Sequence, residues 1–175
     1  GVQGGAETVV QGLRIFKPLH DGNTVVGIDF TNAFNSVDRH AIGNEVADHF
    51  PLLKTWFMLC YGKPSRLLVR GQAPIESSRG VQQGDPLGPF FFSLALQPIL
   101  EAVSSPECCV MAYLDDVHLC GPPSVVAKAA IEIRSAAAAI GLSSNINKCW
   151  STVDLSTHGF ATRVDTNPTV LGVPL

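Results

Sequence analysis

Three aspartates stand where an apolar strand would have to bury them. Asp115 and Asp116 interrupt "MAYLDDVHLC", residues 111–120, and Asp29 closes the apolar run of "VVGIDF", residues 25–30. Carboxylates are disfavoured in strands, and adjacent ones repel. Side chains alternate faces along a strand, so Asp115 and Asp116 share a direction only near the tip of a tight turn. By themselves they fit an exposed Asp-Asp turn equally well. If the strand ending in Asp29 lies beside that hairpin, Asp29 and Asp115 meet at one place. A divalent cation makes such clustering tolerable. Mg²⁺ favours carboxylate, water and phosphate oxygens, and two ions about 4 Å apart can clamp the attacking and leaving oxygens of phosphoryl transfer. The chemistry indicated is metal-assisted, with Asp29 and Asp115 as main ligands and Asp116 assisting.

A second stretch, "SRGVQQGDPLGPFFF", sets Gly80, Gly84 and Gly88 with Pro86 and Pro89 in an irregular loop that opens a helix. Backbone in such a loop can approach a ligand closely, and a helix N-terminus offers N–H groups to anions. Gln83 sits where its amide could touch a base or sugar. A Gly/Pro-rich helix entry with no ligand explains the stretch equally well when it is taken alone.

The elements that must position these residues follow from periodicity and punctuation. "GAETVVQGLRIF" has helical spacing, "HDGNT" is turn chemistry, and "VVGIDF" is a short buried strand. "SVDRHAIGNEVADHF" predicts a helix that stops near Pro51, and "LLKTWFMLCYG" a second one ending at Gly62. "SRLLVRG" and "APIESSRG" predict two strands around a turn at residues 71–74. "DPLGPFFFSLALQPILEAVS" predicts a long apolar helix. "CCVMAYL" and "VHLCG" predict two strands with only Asp115 and Asp116 between their cores. "PSVVAKAAIEIRSAAAAIGL" predicts a helix capped by Ser124, ended by Gly141, and striped by Val126, Ala130, Ile133, Ala137 and Ile140. "KCWSTVDL" and "TVLGVPL" predict two last strands. The order contains β-α-β-β-α-β, an α+β fold in which an antiparallel sheet carries helices on one face and leaves the other free.

Composition bounds the partners. The 175 residues suffice for one domain with a core, and 46% hydrophobic against 15% charged content marks a globular chain. No apolar run predicts a membrane span and no secretory signal is visible. The first residue is Gly1 and the last segment is strand-like, which reads as a piece of a longer protein. Cys60, Cys108, Cys109, Cys120 and Cys149 include no C-x-x-C pair, so they suggest neither a zinc site nor a disulfide framework. A net charge of −3 runs against the basic surface of a nucleic-acid binder. P-loop, H-E-x-x-H, G-x-S-x-G and dinucleotide fingerprints are missing from the sequence.

The runs "VVGIDFTNAFNSVDR", "GVQQGDPLGPFFFSLALQPIL", "AYLDDVHL" and "GLSSNINKCW" stand in the order of four reverse-transcriptase palm motifs. From about Val25 onward the chain resembles the reverse transcriptases of non-LTR (LINE-like) retrotransposons, and "TVLGVPL" is similar to the start of the next motif. The resemblance implies a polymerase palm with a ferredoxin-like core. It implies an RNA-directed DNA polymerase that joins a dNTP to a primer 3′-OH with two Mg²⁺ ions, Mn²⁺ being a substitute. Its partners would be an RNA template, a DNA primer and dNTPs, with no membrane, in the nucleus or cytoplasm. Asp29, Asp115 and Asp116 would hold the metals. The backbone of Phe30, Thr31, Asn32 and Ala33 would line the triphosphate pocket. Phe34 would lie under the sugar and reject a 2′-OH, unless it is an ordinary core phenylalanine. Gln83 and Gly84 would contact the nucleotide. Lys148 would donate a proton to leaving pyrophosphate, unless it is a solvated surface lysine.

The resemblance also sets expectations about what is missing. Residues 1–24 would be a remnant of the fingers–palm junction within one palm fragment, 1–175, with the fingers and thumb of the parent polyprotein largely absent. Asn35 occupies a position where many relatives carry a second acid. Two other readings share these residues. One is an RNA-dependent RNA polymerase palm, which the bulky Phe34 disfavours. The other is an inactive palm remnant kept as a binding module, which the intact acids disfavour and the missing fingers and thumb favour for the isolated piece. A metal-dependent phosphatase is a poor fit, since His118 alone of the histidines lies near the acids.

Overall fold

The computed structural model describes residues 3–19 and 21–175. Helix α1 (Gly5–Phe16) precedes strand β1 (Thr24–Ile28), the short α2 (Ala33–Ser36), α3 (Arg39–His49) and α4 (Lys54–Tyr61). A small hairpin of β2 (Ser65–Leu67) and β3 (Ile75–Ser77) leads to the long helix α5 (Gly88–Val103). The hairpin β4 (Cys109–Tyr113) and β5 (Asp116–Gly121) follows, then α6 (Pro123–Ala139) and β6 (Trp150–Ser151). The chain closes with β7 (Arg163–Val164), β8 (Thr169–Val170) and β9 (Val173–Pro174).

The main sheet runs β4-β5-β1-β6-β7, antiparallel except for the β6–β7 pair. Its first four members, with α5 and α6 as crossovers, give the expected β-α-β-β-α-β core. Alternation along β1 explains two apolar layers. Val26 and Ile28 face a core built with α3, α5 and α6, which includes Phe91, Phe92, Leu96, Leu119 and Ile133. Val25 faces a smaller cluster of Val9, Val10, Leu13, Cys120 and Trp150. The second face is therefore not free: α1 lies on it beside β4. Gly12 makes room there, since a Cβ would stand 2.3 Å from the Met111 methyl, and Gly27 does the same for the Trp150 ring.

Several element ends differ from the sequence expectation. Ser124 does not cap α6. Pro122 is the N-cap residue and makes no side-chain cap, while Pro123, with its fixed φ, opens the helix. At the other end Gly141 takes φ +81, and its N–H and that of Leu142 bond to Ala138 and Ala137 carbonyls, a Schellman ending. Asp38, not Ser36, begins α3: its carboxylate accepts from the His40 N–H at 2.6 Å. "TVLGVPL" is a hairpin, not one strand, with Leu171 and Gly172 at positive φ in its turn. All five cysteines are free. Among the described residues no helix is long and apolar enough to cross a membrane.

Candidate active site

The acids converge at one end of the sheet. β1 pairs with β5 through Ile28 and Val117. Extending that register by one residue sets Asp29 across from Asp116, on the same face. Asp116 is the first residue of β5 and pairs with Tyr113, so it is not at the hairpin tip as expected. Leu114 and Asp115 form the tip, and Leu114 reaches φ +58 to make it. A left-handed conformation in a branched residue costs about 1–2 kcal/mol. Neither glycine nor asparagine stands there to relieve it, so the tip beside the acids is strained.

The electrostatics of the cluster are unbalanced. The Asp116 carboxyl is held above its ordinary 3.8, first because protein on one side strips away water, then because Asp115 and Asp29 are negative; Lys148 pulls the other way. Asp29 is half-buried, and its Oδ1 is buried without a hydrogen-bond partner. Its Oδ2 lies 3.9 Å from Lys148 Nζ, on a side chain that is 68% exposed. An exposed pair at that distance contributes little, so Lys148 does not neutralise the three acids. Lys148 arrives on a loop that clasps the end of β1: Asn145 N–H donates to the Asp29 carbonyl at 2.8 Å, and Lys148 N–H to that of Asn145. The orphaned oxygen and the surplus charge fit a hard divalent cation. Among the described residues no group of three or more His, Cys, Asp or Glu side chains is spaced to hold a metal ion as it stands. His118 is buried beside Trp150, 5.9 Å between ring centroids, and burial holds its pKa down at about 4, so it is a neutral sheet residue.

The raised Asp116 pKa has a consequence for stability. The folded protein holds this proton more tightly than the unfolded chain does. Its negative charge therefore costs stability at neutral pH, and the cost is relieved as pH falls through the raised value toward 3.8. Asp116→Asn is expected to raise stability at neutral pH by less than about 1 kcal/mol, because the residue is exposed, and Tm with it. Tm measured against pH for both proteins should show the gain fading toward low pH. A gain that persists there would contradict the charge origin.

The neighbouring segment divides by exposure. Phe30 and Ala33 point into the core, whereas Thr31 and Asn32 are exposed. The Thr31 N–H is donated to the Ser143 carbonyl, which leaves it unavailable to a ligand. Asn32 takes φ +49 and receives the Asn35 amide at 2.6 Å. Phe34 is half-buried and stacks on Phe92, centroids 4.5 Å apart, so its ring is fixed by the core.

Gln83 and Gly84 are both exposed on the loop between β3 and α5, and Gly84 takes φ +91 in open space. The loop is stitched to the Asp29 segment: Val81 N–H bonds to the Phe34 carbonyl and Gly80 N–H to that of Val37, both at 2.8 Å. The sequence reading missed the residues that hold it. Asp85 accepts a short hydrogen bond from the Tyr61 hydroxyl, and Tyr61 Oη accepts from Gln82 N–H at 3.1 Å. Burial, then the bond to Asp85, pushes the Tyr61 pKa up to about 12, so it stays a donor. Arg39 is only 8% exposed and donates to the carbonyls of Gly80, Ser77 and Arg79. One signal existed for Arg39. It shares the buried stripe of α3 with Ile42 and Val46, where a cation is out of place.

Comparison with known proteins agrees with this geometry. The family model described as reverse transcriptase (RNA-dependent DNA polymerase) matches residues 5–175. The chain is 28% identical over 172 residues to the retrotransposable element SLACS 132 kDa protein of Trypanosoma brucei gambiense, covering 94% of this chain and 14% of that relative. Among solved structures, telomerase from Candida albicans in complex with a TWJ fragment of telomeric RNA is similar at a TM-score of 0.60 and 11% identity, over 97% of this chain and 32% of that one. Telomerase from Candida tropicalis, also with a TWJ fragment, gives 0.58 at 11% identity, over 83% and 28%. At that identity the likeness speaks for the fold, a polymerase palm.

Proposed function

The chain belongs to the reverse transcriptase (RNA-dependent DNA polymerase) family, and from that premise we propose that it is the palm of an RNA-directed DNA polymerase of a retrotransposon. It spans a small part of the relative it matches, so the activity of the whole protein is part of the proposal. The observation that carries it is the meeting of Asp29 with Asp116 at the sheet end, beside Asp115, with an unpartnered buried oxygen on Asp29.

Reverse transcriptases generally use divalent metal ions. Asp29, Asp115 and Asp116 would hold two of them, Mg²⁺ or Mn²⁺, and when bound these would offset charge on the attacking 3′-oxygen and the leaving pyrophosphate. The protein's own groups do the rest. The α1 segment is assigned to the fingers–palm junction. Phe34, fixed by its stack on Phe92, would present a rigid wall to the sugar and so exclude a 2′-OH. Gln83 and Gly84, exposed at the loop, would orient the incoming nucleotide. Lys148 would release Asp29 and give a proton to pyrophosphate, for which its exposed stem leaves it free to move.

Template and primer would be drawn by a charge asymmetry that the net charge conceals. Of the 12 lysines and arginines, Lys54, Lys63, Arg66, Arg70 and Arg79 all fall between residues 54 and 79, where Glu76 is the one acid. All five are exposed, and phosphate contacts supply most sequence-independent affinity for nucleic acid.

The test is extension of a DNA primer on an RNA template by this chain, with dNTPs and, in parallel, rNTPs. Incorporation of dNTPs but not rNTPs is the expected result. Incorporation of rNTPs would point to an RNA polymerase. A folded chain that extends nothing would overturn activity for this chain.

A further inference from the structure

We propose that Arg39 is a positioning residue that sets the nucleotide-contact loop, acting as one half of a two-point clasp whose other half is Tyr61 with Asp85. This rests on the reading of Gln83 and Gly84 as nucleotide contacts.

Arg39 carries a buried charge, and among the described residues no acid is bonded to it. Burying an unpaired cation is costly, and the fold offsets that cost with main-chain oxygens. Nε donates to the Gly80 carbonyl at 2.8 Å and Nη1 to the Ser77 carbonyl at 2.9 Å. Nη2 reaches the Ser77 hydroxyl and the Arg79 carbonyl, each at 3.1 Å. The guanidinium also lies 5.3 Å from the centre of the Tyr61 ring. Burial lowers its pKa below the ordinary guanidinium range.

These bonds fall on one short segment, residues 77–80, that joins β3 to the loop bearing Gln83. Gly80, its last residue, is pressed against the backbone of Phe34 and Asn35. Arg39 thus fixes the distance between the Phe34 wall and the start of the loop. Tyr61 fixes the far side by donating to Asp85 and accepting from Gln82, and Asp85 in turn accepts from the Leu87 N–H at 2.9 Å as α5 begins. Between the two anchored points, Gln83 and Gly84 project into solvent. Their placement for a ligand is set by the anchors, because among the described residues neither makes a hydrogen bond of its own.

Only arginine fits this role. Its planar fork aims donors in several fixed directions, whereas a lysine ammonium is a single point that reaches one or two of these oxygens. Removing the fork would free the loop without opening the main core, which is built from other residues.

The experiment compares wild type, Arg39→Lys and Tyr61→Phe by hydrogen exchange with mass spectrometry, and by steady-state primer extension with varied dNTP. Arg39→Lys is expected to speed exchange at residues 77–81 by about 10-fold, with α5 and α6 unchanged. Tyr61→Phe keeps the ring packing on Phe57 and Phe91. It is expected to speed exchange at residues 82–88 instead. Both should raise KM for dNTP about 10-fold with kcat within about threefold, which is loss of binding order and not loss of chemistry. Exchange rising evenly through α5 and α6 would make Arg39 a general core residue and overturn the proposal. So would wild-type exchange at 82–88 in Tyr61→Phe, which also decides the matter should Arg39→Lys fail to fold. If wild type extends no primer, the polymerase reading fails for this chain while the exchange data still judge the clasp.

Discussion

Replacing Asp29 by asparagine is expected to reduce nucleotide transfer by about 10³-fold or more while leaving the fold at least as stable. The two effects have one cause. Asp29 ends a strand that is buried along its whole length, so its position is fixed by apolar packing and not by its charge. Its carboxylate faces Asp116, and directly opposed like charges in a sheet destabilise it. Removing one charge lowers that repulsion and brings the Asp116 carboxyl down toward its ordinary range. The cost is the pairing with Lys148, which at 3.9 Å and high exposure contributes about 0–1 kcal/mol. Thermal unfolding and single-turnover extension of the same preparation check the account. A loss of activity accompanied by a large loss of Tm would mean that Asp29 is structural.

The second large effect is expected at Gly80. It adopts φ +68, and a Cβ there would stand 2.4 Å from Asn35 Cα and 2.5 Å from the Phe34 carbonyl oxygen. Those atoms are backbone, held by the very bonds that join the two segments, so they cannot yield. Gly80→Ala combines left-handed strain with a clash and should cost about 3 kcal/mol or more. For a chain of this size that is a fall in Tm of roughly 6–12 °C. Gly84→Ala is the matched comparison. Its φ is +91 but nothing lies within 4 Å of the new Cβ, so only the strain of about 1 kcal/mol remains. Equal losses in the two variants would show that the close approach at Gly80 carries no weight.

The acids were legible in the sequence because they violate the pattern around them. Asp29, Asp115 and Asp116 stand at the ends of apolar runs, and an exposed turn accounts for Asp115 and Asp116 but not for Asp29 beside them. The β-α-β-β-α-β order was legible for the same reason, since its strands and helices have clean periodicity. The clasp was not, because Arg39 bonds mainly to carbonyl oxygens, which every residue type carries alike. Asp116 was misplaced at the hairpin tip because the turn uses Leu114 at positive φ, where a sequence reader looks for glycine or asparagine. The covering of the second sheet face by α1 depends on Gly12 and Gly27 admitting Met111 and Trp150. Such absences of a side chain acquire meaning only when the opposing strand is known. The net charge is a similar case, because an average over the chain hides the cations gathered between residues 54 and 79.

The central claim is that the three acids at the sheet end form a divalent-cation site. It is tested most directly by titrating the chain with Mn²⁺ in the presence of a dNTP, following free Mn²⁺ by electron paramagnetic resonance. The account predicts saturable binding that Mg²⁺ competes away and that Asp29→Asn and Asp115→Asn each weaken by at least about tenfold. Binding of equal strength in the wild type and both variants would contradict it.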